Sequence, residues 1–400
     1  MQQPAMTNRE AIAKALPIFI AAINMRAGLT IMSPLIPILK DQYHLSSFLL
    51  SFLTSLTVLC FAGSAFLMPF VGKIGGTNRV ISAALIVLTT AIFARAVGNI
   101  PMLFISSLTI GVAVAILNFS LPVWVKENTS EHSGLVTGIY ITIMGIFAAI
   151  SIAVAVPLAH ATSWGWRLAM VPWIVIGFIS SLWWIARNSK SSDNSHLPIS
   201  SKFHAELLRQ PGAWSIAVFF GLQSMLFYGT ATWIPTIFVS KGFTLSNAGY
   251  IVSITGLIGA VIGIAAPHFS SKLGDLRALL AILGVVLSLS FAAMIIDDGW
   301  RLIIWFLIVN IALSISFPLS LLLTVTRSVH AAEVRSLSIM AQSVGYLMAA
   351  FAPGIVGAIF DVTLNWDIAL IFPVVLGVSL GAVGYFAGRP DKIHILELGK

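Results

Sequence analysis

Arg26 is the residue of this chain whose setting most needs a chemical reason. It lies about 15 residues into the apolar stretch Ala11 to Leu39, roughly 22 Å along a helix that rises 1.5 Å per residue, which is mid-depth in a bilayer's hydrocarbon layer. A guanidinium at that depth costs at least several kcal/mol unless it faces water and finds partners. None of the 14 acidic residues falls inside Ala11–Leu39 or any other long apolar stretch of the chain. The natural partner is therefore an anionic ligand, which a planar guanidinium can hold with two parallel N–H donors. Thr30, one turn further on, shares that face and could add a hydroxyl. The alternative is an Arg26 that snorkels or is tied to backbone carbonyls.

Neutral polar residues recur at helical spacing on other apolar stretches. Gln223, Ser224 and Tyr228 fall within about one and a half turns and are followed by Trp233 and Pro235; Gln342 and Tyr346 are one turn apart. Asn118 and Pro122, Tyr140 and Pro318 lie on three further stretches. Asn24 adjoins Arg26 in sequence but points about 200° away around a helix, toward a neighbouring helix rather than the same ligand. Singly, each of these residues could equally join helices or loosen one. As a set they outline a surface that hydrogen-bonds a small solute and packs aromatic walls around it.

Other chemistries lack their parts. All eight histidines fall in loops or at the ends of apolar stretches, so no intramembrane histidine or carboxylate could serve a nucleophile as base or relay protons. An enzyme is not expected, nor a metal or cofactor. The single cysteine, Cys60, excludes an internal disulfide and a thiolate cluster. Without a titrating group in the pathway, the inventory favours uniport, exchange, or coupling in which the solute carries the proton.

The elements that must position these residues are membrane helices. Composition is 58% hydrophobic and 9% charged, against roughly 25% charged in soluble domains. Gly, Pro and charge divide the chain into twelve stretches of spanning length. Six run Ala11–Leu39, Ser46–Val71, Val80–Val97, Met102–Val125, Leu135–Leu158 and Trp166–Ala186; six more run Ala213–Val239, Ala248–Pro267, Ala278–Ile296, Leu302–Val325, Leu337–Phe360 and Ile368–Phe386. The first is longer than a signal-peptide core and is expected to be retained. Trp164, Trp166, Trp183 and Trp184 sit at stretch ends and read as interface anchors.

With both termini placed in the cytoplasm, sixteen basic residues lie on that side and five, Lys40, Arg95, Arg167, Lys241 and Arg301, on the other; Arg26 completes the 22. Basic residues resist translocation, so this bias sets the orientation. The net charge of +8 is spread over short gaps rather than gathered on one patch, which argues against nucleic acid. The long serine-rich segment 187–212 reads as a cytoplasmic linker between bundles at 1–186 and 213–400, and a solvated loop is favoured there over a short amphipathic turn at Phe203–Leu208 lying on the membrane surface.

The two halves are weak copies. LIPILKDQYHLSSF from Leu35 is echoed by WIPTIFVSKGFTLSNAG from Trp233, which matches Pro37 to Pro235. MPFVGKIGGTNR from Met68 is echoed by PHFSSKLGDLR from Pro267, which matches Lys73 to Lys272 and Gly75 to Gly274. These four Pro and Lys positions are expected to serve gating or structure. Two six-helix bundles repeated in parallel are the architecture in which a solute site sits near mid-membrane and the halves rock around it. The expected fold is thus an all-α membrane protein of twelve transmembrane helices in two six-helix bundles.

The basic Gly-containing loops at Lys73 and Lys272 resemble the conserved cytoplasmic loop of the major facilitator superfamily, although Gly72 stands where that loop usually carries an aspartate. NMRAGLTIMSPLIP from Asn24, WGWR from Trp164, FFGLQSMLFYGTATWIP from Phe219 and AQSVGYLMAAFAPGIVGAIFD from Ala341 resemble its cyanate and nitroimidazole (CynX/NimT-like) branch over essentially the whole chain. The resemblance implies the major facilitator fold and transport of a small compound, with cyanate as the namesake anion. It places weight on Asn24, Arg26, Gln223, Ser224, Tyr228, Trp233, Gln342, Ser343 and Tyr346. The expected partners are a small solute and the lipid bilayer of a bacterial inner membrane, with the chain acting as a monomer. An exporter of uncharged aromatic compounds is the competing reading.

Overall fold

A computed structural model of the chain describes residues 7–64, 75–188, 205–270 and 273–393. Among these residues the chain is all α-helical, with no β-strand. In order the helices are α1 (Asn8–Thr30), α2 (Met32–Tyr43), α3 (Ser47–Ala62), α4 (Thr77–Val97), α5 (Ile100–Asn128), α6 (Ser133–Ala161) and α7 (Val171–Asn188). They are followed by α8 (Pro211–Ser240), α9 (Leu245–Ser270), α10 (Arg277–Ile296), α11 (Gly299–Thr326), α12 (Ala331–Thr363) and α13 (Trp366–Ala387). Eleven stretches are long and apolar enough to cross a membrane, with α1 and α2 counted as one, and α3 is a shorter apolar helix. Each expected span therefore has its helix. Lys73, Lys272 and most of the 187–212 segment lie outside the described residues; of the latter, Ala205–Arg209 forms a 3₁₀ turn.

Local sequence sets the helix ends. Thr7 and Glu10 form a reciprocal capping box at the start of α1, with Thr7 N–H donating to Glu10 Oε2 at 2.8 Å. The first span breaks at Ile31 because Pro34, in the first turn of α2, has no N–H to offer the Thr30 carbonyl four residues back. Ser46 caps α3 by accepting from Leu49 N–H at 3.1 Å. In the repeat the equivalent role falls to Thr244, which accepts from Asn247 N–H ahead of the Leu245–Ser246 echo.

The helices run further than the apolar pattern marks, so acidic residues do enter them at their ends. Glu10 lies in α1, Glu333 and Asp361 in α12, and Asp367 in α13. Asp361 caps α3, accepting from the N–H groups of Ser47 at 3.0 Å and Phe48 at 2.8 Å.

The chain divides into two compact units, residues 1–32 with 66–200, and residues 33–65 with 201–400. In the first, α1 packs on α6 and α7, and α4 on α5 and α7. In the second, α8 packs on α12, α10 on α13, α9 on α11, and α3 on α12. Small residues let these backbones meet. A Cβ at Gly284 of α10 would fall 2.7 Å from the Gly377 carbonyl of α13, and one at Gly221 of α8 only 3.3 Å from Gly345 Cα of α12. The allotment of α2 and α3 to the second unit follows from specific contacts: Asp361 on α3, the Lys40 ammonium 4.4 Å from the Phe360 ring centroid, and the Ser33 hydroxyl on the Ala231 and Thr232 carbonyls.

Beyond the spans of the second unit, Lys241 ties four helix ends together. Its Nζ donates to the Ile295 carbonyl at 3.0 Å and pairs with Asp367 at 2.9 Å and Asp298 at 3.4 Å. Burial pulls this ammonium's pKa down, but the hydrogen bonds and charges of the two carboxylates outweigh it, and the pKa is raised on balance.

Tryptophans divide by the face they occupy. Trp164 and Trp183 are exposed, as interface anchors should be, but Trp166 and Trp184 are fully buried. Trp184 donates its indole N–H to the Pro17 carbonyl of α1 at 3.2 Å and so joins α7 to α1. A stretch end marks depth along the membrane normal, whereas burial depends on the rotation of the helix.

Candidate functional site

In the first unit, α1 carries Arg26 half-buried, and among the described residues its guanidinium has neither a carboxylate nor a hydrogen-bond acceptor. Thr30 shares that face as its spacing implies, but its hydroxyl is engaged in helix packing. It lies 3.0 Å from the Arg26 carbonyl and 2.7 Å from Ser151 Oγ of α6. Asn24 points away from Arg26 and is fully buried against α4 and α7, where neither polar atom of its amide has a hydrogen-bond partner among the described residues. Gly177 of α7 leaves the room for it: a Cβ there would sit 2.6 Å from Asn24 Nδ2. Tyr140 is buried on α6, while Asn118 is exposed on α5.

A second guanidinium lies inside this unit. Arg95, expected at the membrane face opposite the cytoplasm, is 1% exposed in the last turn of α4. Its Nη1 donates to the Gly28 carbonyl at 2.8 Å, its Nη2 to Ser107 Oγ at 2.8 Å and its Nε to Ser106 Oγ at 3.2 Å. Arg95 is thus a second arginine of this unit turned inward, and it is sealed where Arg26 is not. The signal available in sequence was the Ser106–Ser107 pair, which supplies hydroxyl acceptors in the following span.

In the second unit, the polar and aromatic residues expected on α8 and α12 do meet. Gln223, Ser224 and Tyr228 are buried on α8, and Ser224 Oγ donates to Gln223 Oε1 at 3.2 Å. Tyr346 of α12 is the centre of an aromatic group, with ring centroids 5.2 Å from Phe220, 5.6 Å from Phe61 and 6.4 Å from Tyr228. These edge-on contacts are the geometry aromatic quadrupoles prefer. Gln342 and Ser343, half-buried, lie about one turn before Tyr346. Phe220 and Phe61 were not singled out from sequence, although Phe220 stands one turn before Gln223 and Ser224.

Trp233 has a packing role. It is fully buried, donates its indole N–H to the Pro353 carbonyl at 2.8 Å and packs against Trp366 with ring centroids 5.2 Å apart and tilted at 40°, so it clamps α8 to α12 and α13. Pro37 and Pro235 lie inside α2 and α8 respectively. The first unit thus offers a positive charge uncompensated among the described residues, and the second a neutral set of amides, hydroxyls and rings. Among the described residues no three or more His, Cys, Asp or Glu side chains gather into a metal-binding group.

Comparison with known proteins agrees with this architecture. Residues 18–353 match the Major Facilitator Superfamily. The chain is 32% identical to the uncharacterized transporter YycB of Bacillus subtilis, over 95% of this chain and 94% of that one. It is 28% identical to the 2-nitroimidazole transporter of Escherichia coli, over 94% and 95%, and 23% identical to the cyanate transport protein CynX of the same organism, over 96% and 99%. Eleven stretches of spanning length among the described residues, an internal repeat and these relatives lead to one conclusion: the chain is a multi-pass secondary transporter, not an enzyme, and belongs to the Major Facilitator Superfamily on its CynX/NimT-like branch.

Proposed function

We propose that this transporter moves a small anion, such as cyanate, across a bacterial inner membrane by alternating access, with Arg26 receiving the negative charge. The observation that carries the proposal is the half-buried guanidinium of Arg26 at mid-span, which has no partner among the described residues. Retaining a bare charge there is costly unless a ligand compensates it. The name of the cyanate relative agrees with a small anion as cargo.

In the second unit, Gln223, Tyr228, Gln342, Ser343 and Tyr346 offer the hydrogen-bonding groups and aromatic surface a small solute needs. The parallel repeat supports a division into bundles at 1–186 and 213–400. The excess of basic residues in alternate loops supports cytoplasmic termini. Uptake of labelled cyanate and other small anions into proteoliposomes tests the proposal. Arg26→Gln is expected to lower it at least tenfold with the protein still folded; unchanged uptake in that variant contradicts it.

A second reading, export of uncharged nitroaromatic compounds, is favoured by one observation. The Tyr346, Phe220, Phe61 and Tyr228 group is neutral and aromatic, and one relative is a 2-nitroimidazole transporter. Resistance to such compounds on overexpression, retained in Arg26→Gln, is the outcome that would select it.

A further inference from the structure

Burying a guanidinium without a carboxylate is unfavourable, and hydrogen bonds to neutral acceptors offset only part of that cost. What Arg95 holds in return is specific. Gly28 lies between Arg26 and Thr30 in the last turn of α1, where helical carbonyls run out of intrahelical donors. The last turn of α1 has no basic residue of its own. Arg95 brings a positive charge from α4 to that carbonyl-rich end, where the helix dipole favours a cation.

The two serines are set to receive Arg95. Ser106 Oγ donates to the Leu103 carbonyl at 2.9 Å, and Ser107 Oγ donates to the same carbonyl at 2.8 Å. With their protons committed there, both oxygens turn lone pairs toward the guanidinium. One turn before Arg95, Ile92 occupies the space a Cβ at Gly28 would need, 2.9 Å from it. The end of α1 is thus held against α4 by a hydrogen bond and by close packing at the same residue. Beyond it the backbone breaks at Ile31, and α2 begins at Met32.

We infer that Arg95 is a positioning residue for solute recognition: by pinning the Gly28 carbonyl it fixes the rotation and depth of the α1 turn that presents Arg26. The inference rests on the reading of Arg26 as the anion receptor. A residue that serves folding alone would change the amount of folded protein and leave recognition intact. A positioning residue changes recognition in the protein that does fold.

The test therefore has two arms. In the first, uptake of labelled cyanate is measured for Arg95→Gln, Arg95→Lys and the pair Ser106→Ala/Ser107→Ala, per folded protein. Arg95→Gln is expected to raise KM at least fivefold with a smaller change in maximal rate. Lys keeps a donor for Gly28 and is expected to recover part of the loss, with the serine pair intermediate. In the second arm, Arg26→Cys in a Cys60→Ser background is alkylated with and without Arg95→Gln. The rate at position 26 is expected to shift severalfold, whether or not cyanate is the cargo. Cyanate uptake indifferent to Arg26→Gln sinks the anion reading alone. An unchanged alkylation rate, or an unchanged KM where Arg26→Gln abolishes uptake, overturns the role of Arg95. If Arg95→Gln does not fold, the serine pair, which keeps the charge, carries both arms.

Discussion

Arg26 and Arg95 are the same side chain in the same compact unit, and the protein treats them in opposite ways. Arg95 is sealed, with three acceptors arranged around it, one of them a backbone carbonyl of the helix that carries Arg26. Arg26 is half-open, and no acceptor among the described residues reaches its guanidinium. A guanidinium that a protein satisfies internally is part of its framework; one held in the membrane and left unsatisfied is available to a ligand. Burial alone would have ranked the two in the wrong order.

The contrast can be broken from either side. The largest effect on stability is expected for Arg95→Ala, which removes the donors to the Gly28 carbonyl and to the oxygens of Ser106 and Ser107. The loss should be about 3 kcal/mol, since each buried polar group left unsatisfied costs ~1–3 kcal/mol, and it would appear as a marked drop in Tm. Gly177→Ala comes next, at about 2 kcal/mol, because overpacking a tight helix contact costs ~1–3 kcal/mol and the added methyl would press on Asn24. The same assay measures it.

Tyr346→Leu removes three ring contacts. At about 1 kcal/mol, within the ~0.5–1.5 kcal/mol such pairs contribute, it should weaken binding of neutral aromatics more than of anions, as titration calorimetry would read. Smallest is Lys241→Met, at about 0.5–1 kcal/mol for partly exposed ion pairs. Because the folded pKa of Lys241 is raised, its stabilisation is fully present below the unfolded value near 10.4 and is lost as pH climbs through the folded one. The Tm difference between wild type and Lys241→Met should therefore hold from pH 6 to 9 and shrink only in strong alkali.

Much of this was legible in the sequence. Spans follow from the length of apolar runs, and Arg26 stood out because it lies far from either end of its run. The Gln223, Tyr228 and Tyr346 positions were legible from helical spacing. Arg95 was not, because it sits two residues from the end of α4. There, one-dimensional position cannot separate a side chain that reaches for the interface from one turned inward toward α1 and α5. Trp166 and Trp184 illustrate the same degeneracy. The packing of α3 with the second unit was hidden for another reason. It depends on Asp361 and Gly357 of α12, more than 300 residues away in sequence, and apolar pattern says nothing about which spans become neighbours.

The central claim is that the open arginine is the receptor for charge. Its most direct test is thermal-shift binding of purified wild type and Arg26→Gln against small anions and their neutral isosteres, at two pH values. The account predicts stabilisation of the wild type by an anion and its loss in the variant, by at least tenfold in apparent Kd, with the unliganded Tm unchanged. Stabilisation by neutral aromatics that survives in Arg26→Gln, with no response to any anion, would contradict it.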